Sequence, residues 1–364
     1  MGADMRDSSI DFVKGCAIIL MVFGHAGYCG SVELDRFINL FHMPVFFIAA
    51  GYFYRCIDSL EGFKTFVIKK LRRLWWPYFL WTTIYLLLGS WFIEVSILPA
   101  NTSPSPTPCD LFLGWGLVRT LTLMRGTLFT TAFWFLKALL YAFFITALLD
   151  LLFSRLLKSS NVRMVVKTII AVGVLAYLRW GTMLNISIRE IMLAFGLVQI
   201  GVLIRIGGNG PYNFVRSYPL FSCLICGLVL VLMSSWGEVC CYAAAYPCVL
   251  FLILTSCAGW FFIISIYQLT KCWGPAAEAI CYVGRHTMPI IIFHYISFKL
   301  VTFVGCCFIL KSYDRFSLFP TSFTGSVWCL SYTLVGVIVP MLIAYVYNTA
   351  RKKLVAICPY LLPQ

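Results

Sequence analysis

Charge is scarce in this sequence. Of its 364 residues only 12% are Asp, Glu, Lys or Arg and 61% are hydrophobic, whereas a water-soluble globular protein carries roughly 25% charged residues. A chain so short of polar side chains cannot coat a water-facing surface. Acidic residues are the scarcer sign, 14 against 28 Lys and Arg, for a formal net charge of +14. That excess does not point to nucleic acid, because the cations fall in short stretches between apolar runs, where they orient a membrane protein. Only four histidines occur: His25, His42, His286 and His294. No CxxC pair is matched by a second one, so no zinc or other metal site is expected. Nor is any segment between the apolar runs long enough for a separate soluble domain. The first apolar run is preceded by Asp4, Asp7 and Asp11, and no small-residue cleavage site follows it. Residues 13–31 therefore read as a retained span, not a signal peptide.

What the chain has in abundance is apolar runs, among them Cys16–Phe23, Trp75–Ile93, Leu136–Phe153 and Leu220–Met233. A helical span needs about 20 mostly apolar residues. On that measure the chain is an all-α polytopic membrane protein with about ten spans, near 13–31, 36–54, 75–97, 133–153, 164–181, 190–206, 217–236, 247–269, 286–309 and 325–348. Helices are favoured over a barrel because the runs are continuous, and backbone groups in lipid must be bonded internally. Residues 1–350 form one membrane domain and 351–364 a short tail. Ten spans put both termini on one side, and the connecting segments of that side hold nineteen Lys and Arg against seven on the other. The excess places both termini and the tail in the cytoplasm. Lys137 and Lys299 remain inside spans.

The longest outer segment, 98–132, opens with four prolines among Pro99–Pro108 and reads as an exposed loop. Leu111–Met124 follows, apolar and short, and is expected at the outer interface. Asn101-Thr102-Ser103 fits a glycosylation acceptor, a short pattern that carries no weight in the functional reading. Of sixteen cysteines most, such as Cys16, Cys223, Cys226, Cys257, Cys306 and Cys307, lie in apolar segments, where a free thiol acts as a small hydrophobe. Cys29, Cys109, Cys240 and Cys241 lie in or near outer loops, and a disulfide among them is left open.

Each histidine sits in or at the end of an expected span, where an ionisable group is costly and so marks a candidate site. The plain alternative is a histidine bonded to a neighbouring helix. Lys14 and His25 are eleven residues apart on one helix, about 16 Å of rise and within about 20° of the same face. His42, early in the returning span, comes back to a similar depth, so two imidazoles meet beneath an outer vestibule. Imidazole is suited to removing a hydroxyl proton near neutral pH. Asp11 can pair with Lys14 at i, i+3.

Asp11-Phe12-Val13-Lys14-Gly15 followed by Gly24-His25, then Phe41-His42-Met43-Pro44-Val45-Phe46-Phe47 with Gly51-Tyr52, resembles the opening of acyltransferase family 3. The version here is most similar to its fucose 4-O-acetylase-like branch. Lys70-Leu71-Arg72-Arg73-Leu74-Trp75-Trp76-Pro77-Tyr78 resembles the family's basic pair before Leu-x-x-Pro-Tyr. Phe133-Trp134-Phe135-Leu136 and Gly284-Arg285-His286-Thr287 with His294 are similar to its fourth and ninth spans. Two positions depart from the pattern: Lys14 and Lys70 stand where many members have Arg, offering a point charge in place of a bidentate fork.

The resemblance implies an integral-membrane O-acyltransferase, an O-acetyltransferase first of all, in the bacterial cytoplasmic membrane. Acetyl-CoA or another acyl-CoA would be the donor substrate, with no permanently bound cofactor. The acceptor would be a sugar hydroxyl of a surface glycan or its lipid-linked precursor. His25 would serve as general base or transient acyl carrier, His42 would assist, and Lys14 would hold the donor or orient the site. Lys69, Lys70, Arg72 and Arg73 would bind the phosphates of coenzyme A, or else only set topology. Trp134 and Phe135 would meet the acceptor, or else belong to an interfacial aromatic belt. His286, His294 and Asp11 are secondary candidates. The competing reading is a transporter or flippase for a small solute or lipid-linked sugar, suited by the intramembrane Lys137 and Lys299, although the two halves show no internal duplication. Oligomeric state is left open.

Overall fold

A computed structural model describes residues 8–27, 31–100, 113–123, 126–180, 184–208 and 210–357. Among them no β-strand occurs; Cys240 and Ala245 form an isolated antiparallel bridge. The helices are α1 (Ser8–His25), α2 (Val32–Asn39), α3 (His42–Tyr52), α4 (Leu60–Lys70), α5 (Trp76–Leu87), α6 (Gly89–Glu94), α7 (Gly114–Leu121) and α8 (Trp134–Leu156). They continue with α9 (Ser160–Trp180), α10 (Ile186–Ile206), α11 (Gly210–Ser217), α12 (Pro219–Trp236), α13 (Val249–Thr270), α14 (Pro275–Arg285), α15 (Thr287–Gly305) and α16 (Ser326–Ile357).

Eight helical stretches among the described residues have the length and composition to cross a membrane: Ser8–His25, Leu128–Leu156, Ser160–Trp180, Ile186–Ile206, Pro219–Trp236, Val249–Trp273, Thr287–Leu310 and Ser326–Arg351. These correspond to eight of the ten expected spans. The other two are divided. Within 36–54 the chain breaks at Leu40–Phe41, because Pro44 has no N–H to give to the carbonyl of residue 40 and its ring crowds that oxygen. Helix α3 restarts at His42 so that Pro44 falls in its first turn, where no N–H is needed.

Within 75–97 the division falls at Leu88, between α5 and α6, and not at the proline. Helix α4, a π-helical turn over Leu71–Trp75, and α5 run on without interruption from residue 60 to 87. Pro77 removes the bond to the carbonyl of Arg73, and the widened turn is closed instead by Trp76 N–H donating to Leu71 O. The stretch expected as a cytoplasmic loop is thus helical, and the basic cluster rides on it.

Two close crossings set the centre of the bundle. A Cβ on Gly284 of α14 would stand 1.8 Å from Asp11 O, and one on Gly15 of α1 would stand 2.1 Å from Ile280 O. Likewise a Cβ on Gly51 of α3 would meet Val198 O at 2.0 Å, and one on Gly201 of α10 would meet Ile48 O at 2.1 Å. Small residues let backbones approach where lipid gives no hydrophobic drive to association. Around α1, α3 and α10 pack α8, α13 and α15, whereas α12 is peripheral, with 11% of its apolar window buried. Residues 101–112, with Asn101 and Cys109, and residues 28–30, with Cys29, lie outside the described residues. Helix α16 continues past residue 350 to Ile357.

Candidate active site

Ile18, Met21 and His25 recur at helical spacing and form one stripe of α1. That stripe lines a cavity of about 240 Å³, with His42, Met43 and Phe46 of α3 facing it and Asn39 at the end of α2. Ala132 lines it from the 3-10 turn Leu128–Phe133, Trp134 and Phe135 from the start of α8, and Ile291 from α15. Its remaining side is the loop between α12 and α13, residues Glu238, Val239, Cys240, Cys241 and Tyr242. The helix break at Phe41 has a purpose visible here: it turns α3 so that His42 opens the helix facing α1. Its Nδ1 lies 2.9 Å from Ile38 O, across the break.

His25, in the last turn of α1, makes its polar contact with His294 of α15, Nδ1 to Nε2 at 3.2 Å. The two rings are near parallel, 17° apart with centroids at 5.3 Å, and Tyr295 stacks on His25 at 5.1 Å. His294 is fully buried, and its Nδ1 is 2.9 Å from Ile290 O and 3.1 Å from Ile291 O.

The loop wall is fastened from behind. Arg179 Nε donates to Pro247 O at 2.8 Å, Arg189 Nη2 to Ala244 O at 3.3 Å, and Tyr246 Oη to Leu175 O at 2.7 Å. Cys240 and Ala245 exchange backbone bonds of 2.9 and 3.0 Å. Burial pushes the Tyr246 hydroxyl up to about 12. Burial, with Cys240 beside it, also pushes the Cys241 thiol well above its ordinary range. Such a thiol stays protonated and inert. Both cysteines are free. Trp134 meets Tyr242 edge-on at 5.9 Å, an apolar corner beside the polar Glu238 and Asn39.

The other expected site residues lie elsewhere. Lys14 pairs with Asp11 at 2.7 Å, one turn before Ile18, outside the cavity lining. Lys69, Arg72 and Arg73 are exposed along α4 and the π turn. Lys70 instead caps an aromatic pair, its Nζ 3.4 Å from the Phe143 centroid and 5.2 Å from that of Phe66. Phe143 is nine residues into α8, so this cation stands beside the middle of that helix. His286, at the α14–α15 junction, is bonded to Tyr282 O at 2.9 Å. Lys137 is held by Glu190 at 3.0 Å and Ser187 at 2.9 Å, and Lys299 donates to the carbonyls of Phe316 and Leu318. Among the described residues no group of three His, Cys, Asp or Glu converges as metal ligands.

Asn39, Glu238, Tyr242 and Tyr295 were not anticipated from the sequence. Asn39 carries a signal in hindsight, three residues before His42 at a helix end; the others are brought in by packing alone. The bundle thus holds the imidazoles of His25 and His42 in one polar-ended cleft. The chain belongs to the acyltransferase domain family, whose model matches residues 7–345, nearly its whole length. It is a membrane acyltransferase. No curated protein and no solved structure matches it.

Proposed function

We propose that the protein is an O-acetyltransferase that moves an acyl group from acyl-coenzyme A to a sugar hydroxyl of a surface glycan or lipid-linked precursor. The reading is carried by the shared cavity, in which His25 and His42 lie with Asn39, Trp134 and Glu238. Its volume of about 240 Å³ falls below the roughly 300–1,000 Å³ of drug-sized sites, which suits a single sugar ring. An aromatic face with a neighbouring carboxylate and amide suits a ring bearing hydroxyls. The acceptor oxygen attacks the thioester carbonyl carbon and the carbon–sulfur bond breaks. The hydroxyl proton passes to His25 and from there to the departing coenzyme A thiolate, so the histidine is regenerated. His42 assists from the opposite helix.

The donor enters from the Lys14 end of α1, which one turn of helix separates from the cavity floor at Ile18. Lys69, Arg72 and Arg73, exposed along α4 and the π turn, hold its phosphates, with Lys70 stacked behind them on Phe66 and Phe143. The fucose 4-O-acetylase-like pattern at residues 11–52 supports acetyl as the group and a sugar as the acceptor. The setting is the bacterial cytoplasmic membrane, with both termini on the cytoplasmic side.

Membranes containing the protein, given labelled acetyl-CoA, test this. Label should reach glycan and fall about 10²–10⁴-fold in His25→Ala, the span of general acid–base contributions. Solute uptake that survives His25→Ala, with no transfer by the unaltered protein, would establish the transport reading instead.

A further inference from the structure

The hydrogen bonds around His294 determine which nitrogen of His25 is basic. Carbonyl oxygens only accept, so His294 Nδ1, within 2.9 and 3.1 Å of the carbonyls of Ile290 and Ile291, must carry a proton. The ring is fully buried against Tyr295 and Phe298, and no carboxylate among the described residues forms an ion pair with it. A second proton would put an unpaired cation there, which is costly, so the ring is neutral and its Nε2 has only a lone pair. At 3.2 Å from that lone pair, His25 Nδ1 has to be the donor. The nitrogen of His25 left without a proton is then Nε2. His42 is fixed similarly but locally, its Nδ1 donating to Ile38 O within its own chain segment.

We propose that His294 is a positioning residue that locks His25 in the Nδ1–H tautomer, so that Nε2 of His25 is the atom that accepts the acceptor hydroxyl's proton. This rests on the acyltransfer reading above. With the opposite tautomer His25 would offer the cavity an N–H and no base. When Nε2 takes the proton, the imidazolium keeps its Nδ1–H on the neutral His294, which stays an acceptor throughout. His294 therefore never touches the substrate. The titratable side chains that face His25 are His294 and Tyr295 from α15 and His42 from α3.

With four histidines in the chain, nitrogen NMR of ¹⁵N-imidazole-labelled protein in lipid resolves the point without any turnover. His25, assigned by loss of its signals in His25→Gln, is expected in the Nδ1–H form at neutral pH. In His294→Phe, which keeps ring volume and removes the acceptor, the Nε2–H form should appear, and acetyl transfer should fall at least tenfold. His294→Gln restores an acceptor near the lost Nε2, so it should recover the Nδ1–H tautomer and most of the activity with an unaltered pH profile. An Nε2–H tautomer in the unaltered protein overturns the proposal. So does a His294→Phe protein that keeps both tautomer and rate. If the unaltered protein transfers no acetyl group yet shows the expected tautomer, the acyltransfer reading fails and the tautomer assignment stands.

Discussion

Asp150 is the acceptor at the centre of a buried polar knot, and its removal tests the account of how α4 is held. Its Oδ2 accepts from Tyr54 Oη at 2.6 Å and from Ile57 N at 3.3 Å, while Oδ1 pairs with Lys167 of α9. Asp150 is 4% exposed and Lys167 1%. Next to it Arg163 pairs with Asp58 at 2.6 Å, and Arg205 donates to Tyr54 O at 2.8 Å. Together these tie the segment entering α4 to α8, α9 and α10. Asp150→Ala strands Lys167 in the interior, at a cost of about 3–5 kcal/mol for breaking a buried pair. It also removes the acceptor from Tyr54 and Ile57, each orphaned donor costing about 1–3 kcal/mol. These losses overlap, so 4–6 kcal/mol is about the whole effect.

Asp150→Leu with Lys167→Met removes both charges at similar volume. Only the two orphaned donors remain, so roughly half or more of the lost stability should return. Adding Tyr54→Phe leaves Ile57 N as the sole orphan and should return more. Thermal unfolding in lipid nanodiscs reads all three, and the order should be single, double, triple from least to most stable. A double variant no more stable than Asp150→Ala would refute the reasoning, since the stranded cation would then not be the main cost. Because α4 carries the basic cluster, KM for acetyl-CoA should rise in the single variant before the acceptor KM does.

Gly284→Ala should destabilise by about 1–3 kcal/mol or more, seen in the same unfolding assay, because its Cβ would meet Asp11 O at 1.8 Å and only a backbone shift relieves that. Trp134→Ala should raise the acceptor KM about tenfold, near 1.4 kcal/mol, with the donor KM unchanged; equal effects on both substrates would remove Trp134 from the acceptor site. In a variant that keeps cysteine only at 240 and 241, a membrane-impermeant maleimide should label exposed Cys240 and spare buried Cys241, whose thiol is held protonated, and Cys240→Ser should abolish that signal. Labelling from the outside only would also fix the side on which the cavity wall lies.

The helical membrane class was legible in composition and run length, because a span answers to a one-dimensional demand for apolar residues. The Lys14–Asp11 pair was legible too, since i, i+3 spacing alone brings two side chains together. His25 and His42 stood out because a histidine in an apolar run is conspicuous, and a helix and its return bring such residues back to one depth. Less was readable where the answer depended on how a proline is accommodated. Pro44 broke its helix and Pro77 did not, because a π turn could close around the second.

Sequence alone therefore determined a helical membrane protein, the acyltransferase resemblance and the two cavity histidines. Only the tertiary structure decided that His294, 269 residues along the chain, bonds to His25, and that Lys137 and Lys299 are engaged inside the bundle. It alone brought Glu238 and Tyr242 to the cavity wall. The reason is physical: periodicity fixes which residues share a helix face, whereas the neighbour of that face is chosen by packing at positions such as Gly15, Gly284, Gly51 and Gly201, which only the assembled bundle reveals.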